Sequence, residues 1–124
     1  MTEEKTKKDS LFEPEGELVV DVWQTPQEII VQAPVAGIEI NDLEIILENN
    51  ILKIKGERKM PARPKSADSL LQECYWGVFT KELVLPAEIN NTKITASVNE
   101  GVLTIKLTKK KQVSPKKIKI ESQN

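Results

Sequence analysis

The chain has 124 residues, 39% of them hydrophobic, a size that supports one compact core with tails rather than two domains. Basic and acidic side chains number 18 and 19, so the formal net charge of −1 favours neither nucleic acid nor an anionic membrane as partner. The absence of histidine removes the usual general base, the Ser/His and Cys/His nucleophile pairs and the commonest metal ligand. We therefore expect a protein that is not an enzyme and that uses no cofactor or metal.

The beginning of the chain and its single cysteine bear on location. Residues 1–5 lack the apolar stretch of a signal peptide, and one cysteine, Cys74, cannot form an internal disulfide. No segment approaches the ~20 apolar residues of a membrane helix. These features predict a cytoplasmic protein without membrane contact. Cys74 has no basic neighbour in the sequence, so we expect a buried or half-buried side chain rather than a reactive thiolate.

Apolar and polar residues alternate in the first half of the chain, and this period of two predicts β-strands. Leu18–Trp23 and Glu28–Gln32 are separated by a proline-containing turn at 25–27, which predicts a hairpin. Asp42–Glu48 and Ile51–Arg58 are separated by two asparagines, which tolerate the left-handed backbone of a tight turn. The sequence therefore predicts two successive hairpins.

The second half begins with a change of composition. Residues 59–68 are rich in proline, alanine, lysine and serine without periodicity, which predicts a long loop. Strands are predicted at Trp76–Leu85, Lys93–Val98 and Val102–Leu107, the last two joined by an Asn-Glu-Gly turn. Short strands at ~8–12-residue spacing, with no room for crossover helices, indicate an all-β fold built as an antiparallel β-sandwich.

Several of these segments together resemble the small heat-shock proteins, whose common part is the α-crystallin domain. The most specific is A-x-x-x-x-G-V-L, from Ala96 to Leu103; the others are Ala33–Ile38, Leu52–Arg58, Glu73–Phe79 and Leu85-Pro86. The resemblance implies an immunoglobulin-like β-sandwich at 18–107, between a short N-terminal arm at 1–17 and a C-terminal extension at 108–124.

The resemblance also implies that the chain pairs with a copy of itself. In bacterial and plant relatives, a strand in the long loop crosses to a partner's first strand, which assigns dimer exchange to residues 59–72 and to Leu70 and Leu71. Lys81 stands where the family usually has an arginine that forms ion pairs in the dimer, but lysine lacks the planar fork of arginine. The alternative is a loop that folds back on its own sandwich.

A second self-association site is implied in the lysine-rich tail, where Ile118-Lys119-Ile120 resembles the family's I-x-I/V clip. Alternate residues of an extended chain share a face, so both isoleucines point the same way, ~7 Å apart. By resemblance they bind a neighbour's groove, for which we predict a lining of Ile45, Leu47, Ile94 and Ala96. The alternative is a frayed tail in which the two isoleucines occur by chance.

Charge is distributed unevenly along the chain. No lysine or arginine occurs between Asp9 and Leu52, whereas the last strand and the tail are rich in lysine. The clip is flanked by lysines and its predicted groove by carboxylates, namely Lys116, Lys117 and Lys119 against Asp42, Glu44 and Glu48. We hypothesise that these charges favour contact between tail and groove; the alternative is that they only maintain solubility.

The function implied by the resemblance is that of an ATP-independent chaperone, a holdase that binds partly unfolded proteins and prevents their aggregation. It would act as a homodimer that assembles into a larger homo-oligomer, with Leu11 and Phe12 of the N-terminal arm contacting clients. No phosphate-binding loop suggests ATP use. The alternative is a co-chaperone or adaptor with a related sandwich and one defined partner. Nucleic acid is not expected, since Lys109–Lys111 has no interleaved aromatic residues.

Overall fold

The computed structural model describes residues 16–111 and 115–123. Within them, eight strands form two four-stranded sheets. In chain order the strands are β1 (Gly16–Glu17), β2 (Asp21–Gln24), β3 (Glu28–Pro34), β4 (Leu43–Glu48), β5 (Ile51–Arg58), β6 (Gly77–Val84), β7 (Ile89–Asn99) and β8 (Val102–Lys109). The only helix in the described part is a single 3-10 turn at Ile40–Asp42. The prediction of an all-β sandwich is confirmed.

The two sheets share one core. The first has the order β1-β6-β5-β4 and the second β2-β3-β8-β7, and every neighbouring pair is antiparallel except β1 and β6, which are parallel. Alternate residues of the central strands point between the sheets and are almost completely buried: Ile29, Val31, Ala33, Leu52, Ile54, Leu103, Ile105 and Leu107. The alternation of apolar and polar residues in the sequence therefore matches the alternation of buried and exposed residues in these strands.

Both tight turns predicted from asparagine and glycine are present. Asn49 and Asn50 have φ angles of 50° and 63° between the paired residues Glu48 and Ile51. Glu100 and Gly101, at 50° and 78°, join β7 to β8. The Asn50 side-chain amide also donates a hydrogen bond of 2.8 Å to the carbonyl of Leu85. These positive φ angles explain why asparagine and glycine occupy the turns.

One predicted strand is shorter in the structure. Residues 18–23 were expected to form a single strand, but only 21–23 belong to a strand, β2, and residues 18–20 cross from β1 in one sheet to β2 in the other. Leu18 lies at the crossing with 3% exposure, and its N–H donates to the Thr80 carbonyl at 3.0 Å. Leu18 is apolar because it is buried between the sheets, and this apolar residue led to the prediction of a longer strand.

The start of β7 also differs from the expectation. This strand begins at Ile89 rather than Lys93, with an irregularity in its pairing between Ile89 and Ile94. Inside the irregular part, the Asn90 side chain accepts hydrogen bonds from the N–H and hydroxyl of Thr92. The polar residues at 90–92 interrupt the alternation of apolar and polar residues, so periodicity does not predict this part of the strand.

Candidate assembly and client-binding surfaces

The crossing at 18–20 determines which edges of the sandwich lie together. Because β1 and β2 are edge strands joined by only three residues, these edges of the two sheets are on the same side. The remaining edges, β4 and β7, therefore lie together on the opposite side. Each of these two strands has a strand neighbour on one side only.

An apolar groove runs between β4 and β7. On β4, Leu43, Ile45 and Leu47 are paired with Gly56, Ile54 and Leu52, so their side chains point between the sheets. Ile94, Ala96 and Val98 of β7 are paired with buried residues of β8 and point the same way. We call these six side chains the assembly groove. The structure thus places all four residues predicted to receive the clip, Ile45, Leu47, Ile94 and Ala96, at inward positions of these two edge strands.

The assembly groove is open to solvent. Ile45, Leu47 and Ile94 are half-buried against the core, whereas Ala96 is exposed although it occupies an inward-pointing position of its strand. The small side chain of Ala96, between Ile94 and Val98, therefore leaves the inward side of β7 accessible to solvent at this position.

The proposed clip is free of this chain's own groove. Ile118 is 79% exposed and Ile120 is 92% exposed, and residues 115–123 form no strand or helix. Neither isoleucine is therefore buried by the described part of its own chain.

The opposite side of the sandwich has a second unpaired edge, at β2. All four residues of β2 are exposed, including Val22 at 46% and Trp23 at 61%. Val22 is paired with the buried Val31 and so points inward, while Trp23 points to the outer face. Sequence periodicity did not predict that these residues are exposed, because apolar strand residues are usually covered by other parts of the fold. Val22 and Trp23 are exposed because β2 is an edge strand.

The long loop between β5 and β6, residues 59–76, contains no strand in the described structure. It holds Leu70 at 99% exposure and Leu71 at 76%. Exposure of two adjacent leucines to this degree leaves their apolar surface available to another chain. Cys74 is also exposed, so the expectation of a buried or half-buried thiol was wrong. The reason is its position in a loop that leaves the sandwich.

A stack of three side chains holds the end of the long loop. The Tyr75 ring meets the Phe79 ring edge to face at 4.8 Å, and its hydroxyl donates to the Val78 carbonyl. Arg58 lies 4.5 Å from the centre of the Phe79 ring, and its Nε donates to the Ala36 carbonyl. The loop is therefore anchored on the sandwich a few residues after Leu71.

Lys81 forms an ion pair within its own chain. Its Nζ lies 2.7 Å from Oε1 of Glu17 and so connects β6 to β1. The hydrogen bond from Lys81, together with its positive charge, holds the pKa of the Glu17 carboxyl below its usual range. The predicted role of Lys81 in ion pairs of the dimer stays a prediction. Glu17 was not predictable from periodicity, because β1 is only two residues long.

Three other expectations concern client contact, metal binding and membrane contact. Leu11 and Phe12, predicted to contact clients, lie outside the described residues. Within 16–111 and 115–123, no group of three or more potential ligands could hold a metal ion. In the same part of the chain, no helix is long and apolar enough to cross a membrane.

The sequence was compared with models of known families. The model of the Hsp20/alpha crystallin family matches residues 21–121, which is most of the chain and includes β2, the assembly groove and the clip. The chain belongs to the Hsp20/alpha crystallin family. The resemblance read from Ala96–Leu103 and its companion segments is thereby confirmed.

Individual relatives agree with this membership of the Hsp20/alpha crystallin family. The chain is 29% identical to small heat shock protein C4 of Rickettsia felis over 81% of its length, and 33% identical to 18 kDa antigen 1 of Mycobacterium intracellulare over 82%. The aligned parts span 61% and 66% of the lengths of those proteins.

A solved structure shows the same Hsp20-family fold. A small heat-shock protein from Xylella fastidiosa, described as having a distinct high-order structure, superposes with a TM-score of 0.72 at 29% identity. The superposition covers 88% of this chain and all of that one. Small heat-shock proteins are chaperones rather than enzymes, and the family membership is consistent with a chaperone role.

Proposed function

We propose that this chain is an ATP-independent holdase of the cytoplasm, which binds partly unfolded proteins and keeps them from aggregating. The observation that carries the proposal is the pair of open apolar edges on one sandwich, at β2 and at the assembly groove. Unpaired strand edges with apolar side chains bind extended segments of other chains with little dependence on sequence. Unfolded proteins present such segments, and folded ones do not.

Self-assembly is the second part of the proposal. Leu70 and Leu71 of the long loop pair with the β2 edge of a partner, which gives a homodimer. Ile118 and Ile120 of the tail fill the assembly groove of a neighbouring subunit, which joins dimers into a larger homo-oligomer. Each contact covers an edge that would otherwise attract clients, so detachment of a tail or loop uncovers a binding surface.

The test is suppression of aggregation without ATP. An unrelated aggregation-prone protein is heated with and without this chain, and light scattering is followed. Suppression at near-equimolar subunits is expected. Replacement of Leu11 and Phe12 by serine should weaken suppression more than replacement of Ile40 and Val84, which are exposed but lie outside the proposed surfaces.

A negative result would point to a different function. If a several-fold excess of the chain left scattering unchanged, the holdase proposal would fail. The adaptor alternative, with one defined partner, would then account better for the open edges.

A further inference from the structure

We infer that the tail binds the assembly groove in one direction only, parallel to β4, with Ile118 beside Leu43 and Ile120 beside Ile45. This inference rests on the clip-and-groove contact proposed above and adds its orientation and register. The occupant is the tail of a second copy of the chain, because the clip is exposed in its own. The argument comes from the charges on the outward faces of β4 and the tail.

Apolar contacts alone cannot set the direction. The clip has an isoleucine at each end, so it presents the same two side chains to the groove when it is reversed. The inward face of β4 offers Leu43, Ile45 and Leu47 at equal spacing. Two parallel and two antiparallel registers therefore place both isoleucines beside inward residues of β4.

The outward residues differ between these registers. When Ile118 and Ile120 point into the groove, alternation turns Lys117, Lys119 and Glu121 outward. On the same outer face, β4 presents Glu44, Ile46 and Glu48, and Asp42 lies just before the strand. Within the described residues, Glu44 and Glu48 have no ion pair, while Asp42 pairs with Lys59 at 3.4 Å.

The proposed register makes two attractive pairs and no repulsive one. Lys117 lies beside Asp42 and Lys119 beside Glu44, and Glu121 lies beside the neutral Ile46. The pattern also continues across the sheet, because Glu44 is paired with Lys55 and Ile46 with Lys53. In the row of Glu44 the charges then alternate from Lys119 to Glu44 to Lys55, which favours cross-strand pairing, and in the next row the neutral Ile46 lies between Glu121 and Lys53.

Each of the other three registers brings like charges together. The second parallel register places Glu121 beside Glu48. The two antiparallel registers place Glu121 beside Glu44 or Asp42. Each of them also keeps only one attractive pair. We expect a preference of about tenfold for the proposed register at low salt, corresponding to ~1.4 kcal/mol.

Disulfide trapping between subunits distinguishes the directions. All variants carry Cys74→Ser, so that only introduced thiols react. Gln123 is neutral and exposed, and it lies beside Glu48 in the proposed register but near the 3-10 turn Ile40–Asp42 in an antiparallel tail. Strand neighbours are close enough for a disulfide. A subunit with Gln123→Cys is mixed with one carrying Glu48→Cys or, as the matched control, Asn41→Cys.

The expected result is a crosslink to Glu48→Cys that exceeds the crosslink to Asn41→Cys about tenfold at low salt and loses this advantage at ~0.5 M salt. Exchange of the tail charges in Lys119→Glu/Glu121→Lys preserves composition and net charge. It should lower the ratio of the two crosslinks about tenfold. In the proposed register, the introduced glutamate at 119 would lie beside Glu44 and repel it. In the second parallel register and in one antiparallel register, the introduced lysine at 121 would remove the repulsive pair.

Three outcomes would overturn the inference: a dominant crosslink to Asn41→Cys, equal crosslinks at low salt, or no crosslink in a protein whose assembly still depends on the clip. Dependence on the clip is measured separately, by native mass of Ile118→Ser/Ile120→Ser. If that variant assembles like the wild type, the proposed clip contact itself fails.

Discussion

The leucine pair of the long loop allows a quantitative test of the proposed dimer. The perturbation is Leu70→Ser/Leu71→Ser, made in a chain that also carries Ile118→Ser/Ile120→Ser, so that larger assemblies do not obscure the dimer. At 99% and 76% exposure, the two leucines contribute little to the stability of their own sandwich, and their replacement should leave its folding intact. Any loss of mass would then report on contact between subunits.

The magnitude follows from the area these leucines can bury. Full burial of a leucine is worth ~1.5–3 kcal/mol, and ordering of the loop offsets part of that gain. If ~1 kcal/mol remains per leucine, the two loops of a dimer lose ~4 kcal/mol in the variant. The dissociation constant should therefore rise about 10³-fold.

Sedimentation analysis over a range of subunit concentrations measures this constant directly. The matched control is Ile40→Ser/Val84→Ser, which replaces two apolar residues of 69% and 79% exposure away from β2 and the long loop. We expect the control to remain dimeric where the loop variant is monomeric. Equal dissociation constants in the two variants would refute strand exchange through Leu70 and Leu71.

Three further predictions follow from contacts described above. Ile118→Ser/Ile120→Ser should reduce the native mass of the assembly without changing its β-sheet circular dichroism, and an unchanged mass would count against the clip. Ile105 is completely buried, so Ile105→Ala should lower the free energy of unfolding by ~2–5 kcal/mol in denaturant titrations, whereas the exposed Ile40→Ala should change it little. Because the pKa of Glu17 is lowered in the fold, its pairing with Lys81 stabilises above the unfolded-state pKa and is lost as pH falls through the folded-state value. The melting temperature of Glu17→Gln should thus lie below that of the wild type at neutral pH and converge with it in acid; a constant difference would contradict this account.

The sequence was sufficient to predict the hairpins and the core. Asn49, Asn50 and Gly101 favour their turns because they adopt positive φ angles that most other residues avoid, and the alternating strands that flank the turns have one possible buried face. Such local constraints can be read without knowledge of the rest of the chain.

Features that depend on distant parts of the fold were not predictable in the same way. Leu18 resembles a strand residue, but its burial depends on two sheets that form around it. Cys74 has an apolar aromatic neighbour in Tyr75, yet only the path of the long loop shows that its thiol is exposed. The pairing of Glu17 with Lys81 spans 64 positions and involves a strand too short to have a period.

The anchoring of the long loop limits how far apart two partners can be. Arg58 and Gly77, which flank the loop, are direct partners in the β5–β6 pairing, so the loop leaves and returns at one point of the sandwich. The shorter path from that point to the leucines is the segment 71–76, which spans at most ~20 Å when fully extended. A partner's β2 edge must therefore come within this radius before the leucines can reach it. Strand exchange is restricted to subunits already side by side, and a loop cannot capture a distant one.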